Sequence, residues 1–352
     1  MKKALWVCFS VTLFLFFIFT ADSKADEAVQ QAPTDPDQAK EALKGEHHTP
    51  VSTDARRGGL LLPQGKFALD LGLSYAHFSE SQIYVDGFAL LPVLVIGEVT
   101  VEKIKRDIFI ISPTGKVGIT DRVQLELTVP YRYQRESFFR PDVAVGEDEV
   151  INYDQGKGDI YGTVLVHALQ ETATMPHLLA GLTFKSRTGQ SVFEIDPTKG
   201  EMPMGTGFNS LKGTLSFIKS SDPAVVFLNL GYTHSFPRKN TLFVAEQDPD
   251  TQEIVYVSRQ LKLSPGDAYE FGFGAAYALS YRLSVNMQYQ HSLTLETQKD
   301  GERIAGSLIN ASSIRLGGNW AWSDKLSIDL STTFGLTSDA PDDVLELRLS
   351  FH

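Results

Sequence analysis

Residues 123–134 read Val-Gln-Leu-Glu-Leu-Thr-Val-Pro-Tyr-Arg-Tyr-Gln. Every odd position, from Val123 to Tyr133, is apolar or aromatic. Every even position is polar except Pro130. Successive side chains of a strand point to opposite faces, so this stretch makes one oily and one polar face only if it is extended. A helix would need apolar spacings of three and four, which are missing here. The same alternation recurs in Phe67–Ala76, Leu283–Gln290 and Leu326–Phe334. These stretches run longer than the roughly 5–6 residues of an ordinary strand and suit a tilted crossing of a bilayer.

Working outward from these segments, twelve strands are predicted near residues 66–78, 107–119, 122–134, 158–169, 176–187, 206–219, 224–236, 267–279, 282–294, 308–321, 325–337 and 344–351. The connections alternate in length. Short ones fall at Thr120-Asp121-Arg122, Gln170–Met175, Ser220–Pro223, Ser280-Tyr281 and Ser323-Asp324. Long ones fall near 79–106, 135–157, 188–205, 237–266 and 295–307, with a shorter one at 338–343. An even strand number with tight turns at one end and longer loops at the other is the layout of an outer-membrane barrel. The fold class expected is therefore all-β, a transmembrane antiparallel up-and-down barrel with short periplasmic turns. A β-sandwich also alternates, but its strands are shorter and its loops do not alternate in length. Residues 160–169 are apolar on both phases, which leaves the facing of the fourth strand open.

Aromatic residues gather near both strand ends, as interfacial girdles require. Trp320, Trp322, Phe217 and Tyr277 lie toward the turns; Tyr131, Tyr133, Tyr232, Phe236 and Tyr289 lie toward the loops. Leu69, Leu127, Leu230, Phe271, Val285, Leu316, Leu330 and Leu347 are expected to face lipid.

The start of the chain sets the compartment. Lys2 and Lys3 precede an apolar run from Ala4 to Thr20, and Ser23-Lys24-Ala25 offers small residues at a cleavage site. Residues 1–25 read as a cleaved signal peptide, residues 26–57 as a polar periplasmic lead without aromatics, and 58–352 as the barrel. Both chain ends are expected in the periplasm. The single cysteine, Cys8, falls in the leader, so no disulfide or thiol site is expected after it. Loss of Lys2, Lys3, Lys24 and Asp22 takes the formal charge from −11 to −13. An acidic chain without a basic block is a poor partner for nucleic acid. The pair His47-His48 on the lead is weak evidence for metal, and no cofactor is expected.

The polar phase supplies the candidate lumen-lining residues: Asp70, Glu126, Arg132, Lys185, Lys212, Glu270, Gln288, Arg315, Asp329, Glu346 and Arg348. Opposite signs should pair, because isolated charges in a narrow lumen are costly. The set reads either as a solute-selecting conduit or as a structural network. Asp70, Arg315, Asp329, Glu346 and Arg348 are expected to form one connected group. A catalytic reading needs a serine and a histidine in contact with a third orienting group. His234-Ser235 and His291-Ser292 are sequence neighbours and so point to opposite faces. There is no Gly-x-Ser-x-Gly, no His-Glu-x-x-His and no phosphate loop beyond the leader.

The stretch Gly115–Arg135, GKVGITDRVQLELTVPYRYQR, resembles the first periplasmic hairpin of the outer-membrane family of phenol-degradation meta-pathway proteins. Gly158-Asp159, Gly205-Thr206-Gly207, Gly231-Tyr232-Thr233-His234 and Pro265-Gly266-Asp267 resemble its recurring elements. The last strand, with Phe351 one place from the end, resembles the signal read by the barrel assembly machinery. The resemblance implies a transporter-like barrel in outer-membrane lipid, passing small hydrophobic or aromatic solutes. The alternatives are a structural or adhesive barrel with a closed lumen and, further off, an outer-membrane lipid hydrolase. The apolar run Phe88–Leu94 in the first long loop reads as a solute-capture site or an extension of the barrel.

Overall fold

The computed structural model describes residues 61–79, 83–85, 88–90, 104–139, 149–191, 193–195, 201–221, 223–247, 254–304, 306–323 and 325–351. The expected leader, the polar lead and His47-His48 lie outside these residues, as does most of the Phe88–Leu94 run.

Twenty strands are described. In chain order they begin with β1 (Phe67–Phe78), β2 (Ile83–Val85), β3 (Phe88–Leu90), β4 (Ile104–Thr120), β5 (Val123–Thr128), β6 (Tyr131–Phe139) and β7 (Glu149–Lys157). Next come β8 (Tyr161–Leu169), β9 (His177–Lys185), β10 (Ser210–Ser221), β11 (Ala224–Ser235), β12 (Arg238–Gln247) and β13 (Ile254–Ser264). The chain ends with β14 (Ala268–Ala278), β15 (Leu283–Thr294), β16 (Gln298–Lys299), β17 (Glu302–Arg303), β18 (Ile309–Ser323), β19 (Leu326–Gly335) and β20 (Asp343–Phe351).

A closed ring of twelve antiparallel strands runs β1-β20-β19-β18-β15-β14-β11-β10-β9-β8-β5-β4 and returns to β1. The seam pairs Leu69 with Phe351 on one edge of β1, and Phe67 with Val117 on the other. Closure leaves the ring no open edge, which is what a backbone in hydrocarbon demands. No helix among the described residues is long and apolar enough to cross a membrane.

The two faces separate as the alternation requires. Leu69, Leu127, Leu230, Phe271 and Met287 are exposed on the outside, whereas Asp70, Gln288, Arg315 and Asp329 are buried on the inside. Val285, Leu316, Leu330 and Leu347 are half-buried on the outward phase. Outside, Trp320 and Trp322 stack at 4.7 Å near the turns, and Tyr232 and Tyr269 stack at 5.3 Å near the loops. A surface this apolar, closed on itself around a polar interior, is one that lipid covers.

Three features depart from the sequence reading. The third strand is broken: Val129 and Pro130 separate β5 from β6, because proline has no N–H to give the ladder. The segment 135–157, expected as a loop, contains the end of β6 and all of β7, and Gly158, Asp159 and Ile160 separate β7 from the fourth strand, β8. The segment 237–266, expected as a loop, contains the hairpin β12–β13, which forms a small separate sheet with β16 and β17. The fourth strand also acquires a facing. Val164 and Val166 are exposed outward, and Leu165 and His167 are buried inward.

Candidate functional site: the lumen

The inward face is zoned along the barrel axis. At the loop end Phe78, Ile108 and Ile309 form an apolar cluster with Ala76, Ile110 and Ala311. At the turn end Leu165, Leu179, Ile218 and Phe227 form a second, with Val225 packed against them and Leu61 inserted from the segment before β1. Charged residues lie between the two clusters and also at the loop end, where buried Arg106 stands across the ladder from Phe78 and pairs with Glu136.

Every candidate lumen residue lies on the inward phase of its strand. They fall into three groups. On the β20–β4 side Asp70 pairs with Lys116 and, at 3.9 Å, with Arg348. Next to it Arg315 pairs with Glu346, and both bond the Ser331 hydroxyl, at 2.5 and 3.5 Å. Asp329 stands directly across the β19–β20 ladder from Arg348, and Gln288 across the β15–β18 ladder from Arg315. The second group is the pair Lys212–Glu270 at 2.7 Å, spanning β10 and β14 over Gly231 of the strand between. On the β5 side Gln124 donates to Glu126 at 2.5 Å.

The third group is built at the wall break, and the sequence reading found only Arg132 and Lys185 of it. Asp159, in the gap between β7 and β8, is completely buried. Its Oδ1 accepts the Gly189 N–H at 3.0 Å, and its Oδ2 accepts the Thr206 N–H at 2.9 Å and the Thr206 hydroxyl at 3.0 Å. The Lys185 ammonium lies 3.4 Å from the same oxygen and also bonds Thr206. One carboxylate thus fastens both ends of the loop that follows β9. Gly189 and Gly205 cross so closely that a Cβ on Gly205 would strike Asp159 and the Gly189 backbone. The returning part of the loop, 202–208, is buried almost throughout against the inner face of β6 and β7. There Gln134 donates to Pro203 O at 2.9 Å and the Met202 N–H reaches Asp154 at 2.7 Å. Arg238 clamps the loop from outside the knot, donating to Gly207 O and to Glu194, each at 3.2 Å.

On the outer face a Tyr-x-His pattern recurs on three strands that rise toward the loops. Tyr75 and His77 both bond Asp107, at 2.8 and 2.7 Å. Tyr232 and His234 both bond Asp267, at 2.8 and 2.7 Å. Tyr289 and His291 both bond Ser312, at 3.3 and 2.8 Å. In the first and third the partner stands directly opposite the histidine in the ladder. His291 and Ser312 are therefore in contact, but among the described residues no carboxylate orients His291. The pattern has the make-up of an interfacial girdle with its polar edges satisfied. His234 and Ser235 face opposite ways, exposed and buried. No cluster of three metal-binding side chains occurs among the described residues.

No family model matches the chain. Among solved structures, an outer-membrane channel from Pseudomonas putida F1 is similar with a TM-score of 0.56 at 17% identity, over 83% of this chain and 97% of that one. The translocator domain of the autotransporter NalP from Neisseria meningitidis gives a TM-score of 0.43 at 7% identity, over 90% of this chain and 97% of that one. The monoaromatic hydrocarbon channel CymD gives 0.42 at 10% identity, over 86% and 96%. The first likeness shows the fold: this chain is a β-barrel of the outer-membrane type.

Proposed function

We propose that the chain is a passive outer-membrane channel for small apolar or aromatic molecules. The observation that carries this reading is the mixed make-up of the inward face, with an apolar cluster toward each end and ion-paired charges beside and between them. A barrel that only needed to fill its interior has no reason to place oily side chains at both mouths. A conduit for molecules with an apolar body and a polar group has use for both kinds of lining. The structural neighbour from Pseudomonas putida F1 is itself a channel, and the resemblance to the phenol-degradation family implies the same solute class. In this reading the leader is removed, the turns and both termini face the periplasm, and the loops face outward.

Current through single barrels in planar bilayers tests it. Stepwise conductance that falls when phenol is added is the expected result. An absence of current in the wild type and in a variant whose lumen loop has been released, Asp159→Asn, would overturn it. The buried loop 202–208 favours a second reading, a closed structural barrel whose external loops bind a partner. That reading requires the silent outcome.

A further inference from the structure

The residues Leu61-Leu62-Pro63-Gln64-Gly65, separated from β1 by Lys66, form a strap at the turn end of the barrel. At one end the Gly65 N–H donates to Gly118 O at 2.8 Å, and the Gly118 N–H returns a bond to Lys66 O at 3.0 Å. The Gln64 N–H reaches Asp121 at 3.0 Å, and the Leu62 N–H reaches the inward side chain of Gln124 at 2.8 Å. At the other end Leu61 is buried among Leu165, Leu179, Ile218 and Phe227. Those four side chains come from β8, β9, β10 and β11, and Leu165 stands directly across the ladder from Gln124, to which the strap is tied. The strap therefore runs along the rim of the mouth from β4 past β5 to β8. It also explains Gly118 in the GKVGITDR stretch: a Cβ there would run into the carbonyl oxygens of Leu62 and Pro63.

Two properties of this arrangement matter. The socket is made of four aliphatic and aromatic side chains, with buried Gln124 and Ser216 at its edge, across the ladder from Leu165 and Leu179. Its occupant is a single leucine on an uncharged strap tied by a few hydrogen bonds, without an ion pair. Replacing one apolar occupant by another of similar size costs little, because the buried area lost by the first is regained by the second. A vacated socket of this kind stays dry and takes up benzene-sized molecules.

We infer that the socket of Leu165, Leu179, Ile218 and Phe227 is a binding station for a small apolar or aromatic molecule, and that Leu61 is a built-in competitor for it. The inference takes its solute class from the channel reading. Binding is measured separately from current, so that either can fail alone. A molecule that reaches the turn end displaces Leu61, and the free end of the strap lifts off the wall as it does so. The station is thus the last stop before release.

The test uses the full chain in lipid nanodiscs with 4-fluorophenol as probe, followed by fluorine NMR against empty nanodiscs. Leu61→Ala should bind the probe about tenfold more tightly than wild type, since the competitor has been shortened. Gly118→Val, which forces the strap off its crossing, should act in the same direction. Adding Ile218→Asn to Leu61→Ala should abolish the gain. Equal binding by wild type and Leu61→Ala, or a gain that survives Ile218→Asn, would overturn the inference. A second measurement does not depend on those variants folding well. Leu61→Cys with Ile218→Cys allows the strap to be locked in the socket by oxidation. Locking should suppress both probe binding and current, and reductant should restore them; indifference of binding to the lock would overturn the station. Probe binding that follows this pattern in a barrel without current would sink the channel reading and leave the station standing.

Discussion

Between β14 and β1 the wall is a continuous ladder, whereas between β4 and β9 it is broken twice. On the continuous side the inward polar groups find partners on the next strand or the next but one, as Arg315 does with Ser331 and Glu346. On the broken side Pro130 interrupts one strand and Gly158-Asp159 the next, and the two breaks are joined by the Gly158 N–H donating to Pro130 O at 2.9 Å. β4 is long enough to pair with β5 below the break and β6 above it. Above the break β7 pairs with β6, and its inner face is covered by the loop after β9. The comparison teaches that alternation alone builds a wall. A carboxylate placed where alternation fails builds a site, because its oxygens are free to bind backbone from elsewhere.

Asp159→Asn should have the largest effect. It leaves the Lys185 ammonium buried opposite a neutral amide and weakens three further bonds. Breaking one side of a buried pair costs about 3–5 kcal/mol. The expected result is a lower unfolding midpoint in bilayers and rapid proteolysis within residues 186–209. A loop that stays protected would show that the knot does not hold it.

Lipid-face substitutions come next. Leu127→Arg on the broken side and Leu330→Arg on the continuous side should each cost about 2–4 kcal/mol if they sit near the midplane. Unfolding titrations of the two variants compare the outer surfaces directly. A much smaller cost at Leu127 would mean that the break also disturbs the outer face.

Glu346→Gln on the continuous side should cost less, about 1–2 kcal/mol. Glu346 is partly exposed, and Arg315 keeps the Ser331 hydroxyl. A cost matching that of Asp159→Asn would erase the distinction between the two walls.

The smallest effect is one of pH. Burial pushes the Glu194 carboxyl up, but the Ser191 N–H and Arg238 outweigh it, so its pKa lies below the ordinary value of 4.5. A depressed carboxyl contributes stability that is present above the ordinary value and is lost as pH falls through the lower, folded one. The group is half exposed, so the contribution is modest. Proteolysis of the loop should therefore quicken below pH 4.5 in wild type and lose that acid step in Glu194→Gln. A wild-type profile without the step would remove the clamp from the account.

The strands were legible because a period of two survives in any sequence with one oily face. The breaks were not, since Pro130 occupies an inward position without spoiling the alternation on either side of it. The fourth strand could not be oriented from its own residues. Leu165 is apolar because it belongs to the Leu61 socket, a fact held by a segment about a hundred residues earlier. The inward charges followed from phase, yet Lys116, the partner of Asp70, was overlooked on the same phase of β4. Asp159 lies in a gap where phase means nothing, and only its place in a recurring Gly-Asp pair pointed to it. The hairpin β12–β13 sits in a stretch of mixed polarity, because it belongs to no lipid-covered wall.

The seam between β1 and β20 bears on the order in which the barrel is made. Most pairings in the ring join strands that follow closely in the chain, but Leu69 meets Phe351. Contacts so distant along the chain are slow to form, since the entropy of closing the whole intervening loop is lost first. Hairpins can zip early, while the seam waits for the nine residues of β20, Asp343–Phe351. Until then the sheet has two free edges, the outer rim of β1 and that of its last-formed strand, each a template for pairing with another chain. A chain whose β20 has not yet paired is an open sheet, and the pairing of β20 with β1 is the step that makes the molecule a closed object.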